Sequence, residues 1–362
     1  MNLVAAQALI AGELENRVSI GVSNGVITSI ESNSDSPITV AGTLIPGFVD
    51  IHTHGAGGFY FSATNPADIE TVISTHSKHG TTSMLASLVS EPIESLLAQI
   101  ATLLPFINNS AVKGIHLEGP YLAQSHCGAH DPALLKTPTV EELTRLIEAS
   151  NGTIRMVTIA PELDGALAVI KFLVSKGITV ALGHTGANAQ TTRDAIAAGA
   201  TIITHFNNGM PKLNTGENIS SVALADSEIA LELILDGVHV NTADVSSILK
   251  AAPKRIIAIT DAMSAAGTSG GDYTIGKLGV RVEDGIARLV SNNSLAGSTL
   301  TMDRAFLNLI NNFGFSIAEA SYAVSTLPAH RIGLVDVGSI EVGKRADLIE
   351  LTNGGAVKTL NN

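Results

Sequence analysis

Short apolar runs, each closing on a histidine or an acid, recur along this 362-residue chain. They read TLIPGFVDIHTH (43–54), VKGIHLEGP (112–120), ITVALGH (178–184), TIITH (201–205) and RIIAITD (255–261). Runs of β-branched and aliphatic residues ending in Gly or polar turns predict buried parallel strands. The pattern places eight strands at 44–51, 82–88, 113–118, 154–160, 178–183, 201–205, 231–236 and 256–261. Helical periodicity fills the gaps at 67–80, 139–150, 165–177, 187–199 and 242–252. Thr139 opens one of these helices with a near capping box, and several end in Gly, as a left-handed C-cap requires. Eight alternating β and α units predict a (β/α)8 TIM barrel, because parallel strands need crossover helices and eight of them close a packed barrel.

The ends of the chain have another texture. Residues 1–42 alternate apolar and polar positions around Asn24-Gly25, a strong hairpin signal. The C-terminal GSIEVGKRADLIELTNGG (338–355) again reads as β. Residues 1–45 with 337–362 therefore predict a small β-sandwich built from both termini, flanking a barrel domain over 46–336. Within the barrel domain, a Gly/Ser-rich loop (265–272) leads to a hairpin-like stretch (276–291) and then helices over 300–314 and 316–333.

Composition narrows the partners. The net charge of −12 argues against nucleic acid or an anionic membrane, though not against a small anionic substrate in a local pocket. A single cysteine, Cys127, excludes an internal disulfide and fits a reducing cytoplasm. The first residues lack the basic start of a signal peptide, and no apolar run is long enough to span a bilayer.

The polar residues at the strand ends share one crevice in such a fold. His52 and His54, at i and i+2 on a strand, face the same way. Glu118, His184 and His205 end three further strands, and imidazole with carboxylate is a ligand set for a divalent ion, zinc by ligand type, with iron, cobalt and manganese compatible. Asp261 ends the eighth strand, where an acid beside the ion can take a proton from water and return it to a leaving group. His130 and His239 fall in loops, where each fits a substrate contact or a solvated side chain.

These stretches, with HLEGPYL (116–122), GAHDP (128–132), THFNNGMP (204–211), DGVHV (236–240), TDAM (260–263) and LAGSTLTM (295–302), resemble the N-acetylglucosamine-6-phosphate deacetylases of the amidohydrolase superfamily. The resemblance implies a homodimer of barrels with Glu118, His184 and His205 on a principal metal and His52 and His54 on a second, so one or two ions. It implies Asp261 as the catalytic acid/base and Ala129, His130, Asn208, Gly209, His239, Leu295, Ala296 and Gly297 as substrate contacts. The implied reaction removes acetate from N-acetylglucosamine 6-phosphate, a small phosphorylated N-acetyl amino sugar. One stretch departs from the family: KLNTGENISS (212–221) has neither the Arg nor the Pro expected after the Asn-Gly-Met motif. That arginine would grip the 6-phosphate, so other N-acyl substrates stay open, as does a metal- and sugar-binding protein without catalysis.

Overall fold

The computed structural model describes residues 2–213 and 215–360. Met1, Asn214 of the departing stretch, and the last two residues of the terminal unit lie outside the described residues. Eight parallel strands form one sheet in sequential order. They are β1 (Phe48–Thr53), β2 (Thr81–Leu88), β3 (Val112–Glu118), β4 (Ile154–Ile159), β5 (Thr179–Leu182), β6 (Ile202–Ile203), β7 (Ala230–Ile234) and β8 (Ile256–Ile259). Just past β8 the chain returns to β1: Asp261 N donates to His52 O at 2.9 Å and His54 N to Ala262 O at 2.9 Å. Beneath this seam the buried Thr260 hydroxyl donates to Asp50 at 2.6 Å. The barrel interior and the helix layer around it share one apolar core, including Val49, Ile51, Leu117, Leu182, Leu233 and Ile259.

The run 44–51 predicts one strand, but the structure makes two. Val40–Pro46 joins the terminal sheet, and β1 starts at Phe48. Gly47 is the break: its N–H turns to Asp347 O at 2.8 Å. A Cβ there would lie 2.2 Å from the Thr82 hydroxyl oxygen, so β1 and β2 can approach only across a glycine.

Both termini build a six-stranded sheet in the order 357–359, 348–351, 40–46, 2–10, 13–23, 26–31. It has its own core of Ala5, Ala8, Val18, Ile20, Ile27, Leu44 and Leu348. Asn24 and Gly25 take positive φ of 50° and 72°, as the tight hairpin requires.

Residues 271–289 form three antiparallel strands, Gly271–Ile275, Leu278–Glu283 and Ile286–Leu289. The first strand begins inside the loop expected over 265–272. Its positions are exposed or half-buried on both faces, which hides the alternation that marks a strand. This small sheet packs Val280, Val282, Ala287 and Leu289 against Met263 and Ala296, beside the carboxyl ends of the barrel strands. Among the described residues no helix is long and apolar enough to cross a membrane.

Candidate metal centre and active site

The strand ends deliver their polar residues to one point. His52 and His54 project from β1 and Glu118 from the last position of β3. His184, His205 and Asp261 each stand two residues beyond β5, β6 and β8. All three adopt left-handed backbone, with φ of 47°, 29° and 48°. Such conformations are strained for non-glycine residues and persist where surrounding bonds hold them. Here Ala123 N donates to His184 O and Asn208 N to His205 O, both at 2.9 Å.

Two overlapping groups result, His52–His54–Glu118–Asp261 and Glu118–His184–His205, each with ligand atoms within 4.8 Å of one another. Glu118 is common to both. Its Oε1 lies 3.2 Å from His184 Nε2 and 3.1 Å from His205 Nε2, and its Oε2 lies 3.1 Å from His54 Nε2. Asp261 Oδ1 is 3.3 Å from His54 Nε2 and 3.6 Å from that of His52.

The outer nitrogens decide what the inner ones offer. A carbonyl or carboxylate oxygen only accepts, so each Nδ1 facing one must carry the proton. His184 Nδ1–H donates to His126 O at 2.8 Å, His205 Nδ1–H to Asn208 O at 3.2 Å and His54 Nδ1–H to Ser87 O at 3.2 Å. His52 Nδ1–H donates to the carboxylate of Glu232 at 3.1 Å. Four Nε2 lone pairs then converge on Glu118, with Nε2 to Nε2 separations of 3.0 Å (His184–His205) and 3.2 Å (His52–His54). Lone pairs repel at that distance unless positive charge lies between them, so the donor set fits divalent cations held by nitrogen and oxygen. The proton affinities show the same demand. Burial opposes a charged His54, but hydrogen bonds to Asp261 and Glu118 carry its pKa up to about 9. Burial likewise pushes the Glu118 carboxyl up, yet the charge on His52 and the bonds from His130, His184 and His205 bring it well below its usual range.

His116 lies under the cluster, its ring edge-on to His52 at 4.6 Å between centroids. Ser87 and Thr158 occupy its two nitrogens at 2.9 Å and 2.8 Å, and burial depresses its pKa well below normal. It is a satisfied core histidine.

Above the cluster opens a cleft. Its walls include His54, Glu118, Ala129, His130, His184, His205, Asn208, Gly209, His239, Asp261, Leu295 and Gly297. Two further expected site residues do not border it: His52 is fully buried below, and Ala296 is packed in the core of the small sheet. Burial holds His130 below the usual imidazole pKa, and Ser90 N–H donates to its Nδ1 at 3.3 Å. Its Nε2 therefore carries the proton and faces the cleft, 3.4 Å from Glu118 Oε2. His239 Nδ1 is tied to Asp236 at 2.7 Å. The side-chain nitrogen of Asn208 is buried without a hydrogen-bond partner among the described residues, a donor left for a ligand.

Sequence reasoning missed Tyr60, Val89, Ile234, Met263 and Ile275, which supply apolar wall, and it missed Asp50 and Glu232 below the cluster. Wall residues carry no polar signature. The two acids did leave one, since each interrupts an apolar run (PGFVDI and IALELIL) that otherwise reads as buried strand.

Known proteins resemble the chain over most of its length. The amidohydrolase family model matches residues 43–360. An N-acetylgalactosamine-6-phosphate deacetylase of Escherichia coli O157:H7 is 36% identical over 92% of this chain and 90% of its own length. An N-acetylglucosamine-6-phosphate deacetylase of Vibrio furnissii is 32% identical over 92% and 86%. A Mycobacterium smegmatis N-acetyl-D-glucosamine-6-phosphate deacetylase variant, solved in complex with N-acetyl-D-glucosamine-6-phosphate, superposes with a TM-score of 0.94 at 37% identity, covering 99% of this chain and 96% of that one. With the barrel, the strand-end ligand set and this likeness over nearly the whole length, the chain belongs to the amidohydrolase family, among its N-acetylglucosamine-6-phosphate deacetylases.

Proposed function

We propose that the chain hydrolyses the acetamide of N-acetylglucosamine 6-phosphate, releasing acetate and glucosamine 6-phosphate. The observation that carries this reading is Asp261, its carboxylate at the base of the cleft beside the converging nitrogens. Glu118, His184 and His205 would hold a principal divalent ion, and His52, His54 and Glu118 a second, zinc being favoured by the ligand types. Such an ion supplies Lewis-acid polarisation of the acetyl carbonyl and makes water more acidic.

The chain's own groups do the rest. Asp261 accepts the proton of the attacking water and hands it to the sugar nitrogen, which is otherwise too basic to leave. Burial raises its pKa, but the charge on His52 and the bond from His54, when those rings are protonated, bring it below the usual carboxylate range. The His130 Nε2–H donates to the acetyl oxygen as negative charge builds there. Met263, Ile275 and Leu295 close the cleft against water, while Ala129, Asn208, Gly209, His239 and Gly297 orient the sugar.

No Lys or Arg is among the described residues lining the cleft. The foremost donor for the phosphate is then the free amide of Asn208, with His239 on the same wall. Lys212 stands behind them, its ammonium on the Asn207 carbonyl. The likeness to the Escherichia coli enzyme supports a second reading, in which the C4 epimer N-acetylgalactosamine 6-phosphate is preferred. A homodimer in a reducing cytoplasm suits a metabolic enzyme with a single cysteine. Steady-state kinetics on both epimers, with and without the 6-phosphate, test the proposal. Higher kcat/KM for the phosphorylated glucosamine compound is expected, and equal turnover of N-acetylglucosamine would overturn the phosphate assignment.

A further inference from the structure

Of the four imidazoles that turn an Nε2 lone pair toward Glu118, three rest their outer nitrogen on a backbone carbonyl: His54 on Ser87, His184 on His126 and His205 on Asn208. Only His52 rests on a carboxylate, Glu232 Oε2 at 3.1 Å, and both side chains are 0% exposed. The same oxygen also accepts the backbone N–H of His205 at 3.2 Å. Oε1 has no hydrogen-bond partner among the described residues. A buried acid with one unsatisfied oxygen is expensive to keep. Its charge therefore needs a counterpart, and positive charge is what the nitrogen cluster beside it demands.

We infer that Glu232 is a positioning residue for the second cation: it locks His52 with Nε2 unprotonated toward Glu118 and Asp261 and makes that nitrogen a stronger donor than its three neighbours. An N–H shared with a carboxylate pushes electron density onto the imidazole, which a neutral carbonyl does far more weakly. Glu232 thus favours the ion on His52, His54 and Glu118 over the ion on Glu118, His184 and His205. Its contact with His205 is through the main chain and leaves that ring's tautomer to Asn208. The inference rests on the proposed function only in that cations occupy the cluster.

The test is Glu232→Gln. An amide oxygen can still accept both N–H groups, so shape and bonds are retained and the charge alone is removed. Apoprotein of each form is titrated with Zn2+ against a competing chromophoric chelator, with no substrate present. In the variant, one of the two sites, the one built on His52, should lose roughly 10- to 100-fold in affinity, the range for outer-shell partners of metal ligands. The other site should change far less, because none of its rings rests on Glu232. Unchanged affinity at both sites, an equal loss at both, or a wild type that takes up only one ion would overturn the inference.

If the variant does not fold, proton NMR of the Zn2+-loaded wild type with 15N-labelled histidine tests the same point. The His52 Nδ1–H should resonate at lower field than those of His54, His184 and His205, and four equivalent positions would overturn it. Failure of deacetylation with normal two-site binding would refute the proposed reaction and leave this inference standing.

Discussion

Replacing Asp261 with asparagine separates chemistry from architecture at one atom. The backbone there is left-handed, with φ of 48°, a conformation asparagine adopts as readily as aspartate. The seam bonds at this residue are main-chain: its N–H meets His52 O at 2.9 Å, and its carbonyl accepts from Ser298 N at 2.7 Å. The side chain contacts the cluster through Oδ1 alone, at 3.3 Å and 3.6 Å. The amide oxygen can keep those contacts, so the fold and the ligands on Glu118, His184 and His205 should survive. What disappears is a group that can take and return a proton. General acid–base catalysis contributes about 10²–10⁴-fold, which corresponds to about 3–5 kcal/mol of barrier. The variant should therefore lose that factor in kcat for N-acetylglucosamine 6-phosphate, with little change in KM. Acetate release is measured alongside metal content and thermal midpoint on the same sample. A variant with full metal and a kcat within about fivefold of wild type, far inside the range for a lost acid–base group, would refute the assignment of Asp261 as the proton carrier.

Three further outcomes follow from other parts of the molecule. His130→Ala should lower kcat by about 10²–10³-fold with the metal retained, because the cleft loses the N–H proposed to meet the oxyanion; single-turnover rates check this. Gly47→Ala should destabilise by about 1–3 kcal/mol in urea unfolding, since its Cβ would fall 2.2–2.8 Å from three atoms of Thr82. His79→Gln should destabilise more at pH 6 than at pH 9. The His79–Asp303 bond of 3.1 Å raises the histidine pKa above 6.5, so its stabilisation is full below that value and lost as pH climbs through the raised one. Both partners are partly exposed, which limits the effect to about 0.5–1 kcal/mol in paired unfolding curves.

How far the sequence could be read depended on where a polar residue stands relative to its strand. His52, His54, Glu118, His184, His205 and Asp261 were legible because each closes an apolar run, and a residue at the carboxyl end of a barrel strand has only one place to point. Their strained backbone was not legible. The left-handed turn at His184, His205 and Asp261 is imposed by bonds from elsewhere in the chain, including the loop carrying Ala123 and the seam at His52. The split at Gly47 was hidden for a similar reason: 44–51 is apolar throughout, and only the approach of Thr82 on the neighbouring strand shows that the terminal sheet ends and the barrel begins there. Glu232 is the most instructive case. An acid inside IALELIL announces a buried partner, but the partner is 180 residues away, on the ring of His52. Counting ligands along a chain gives the donor set. Which donor has its outer nitrogen on a carboxylate depends on the closed barrel.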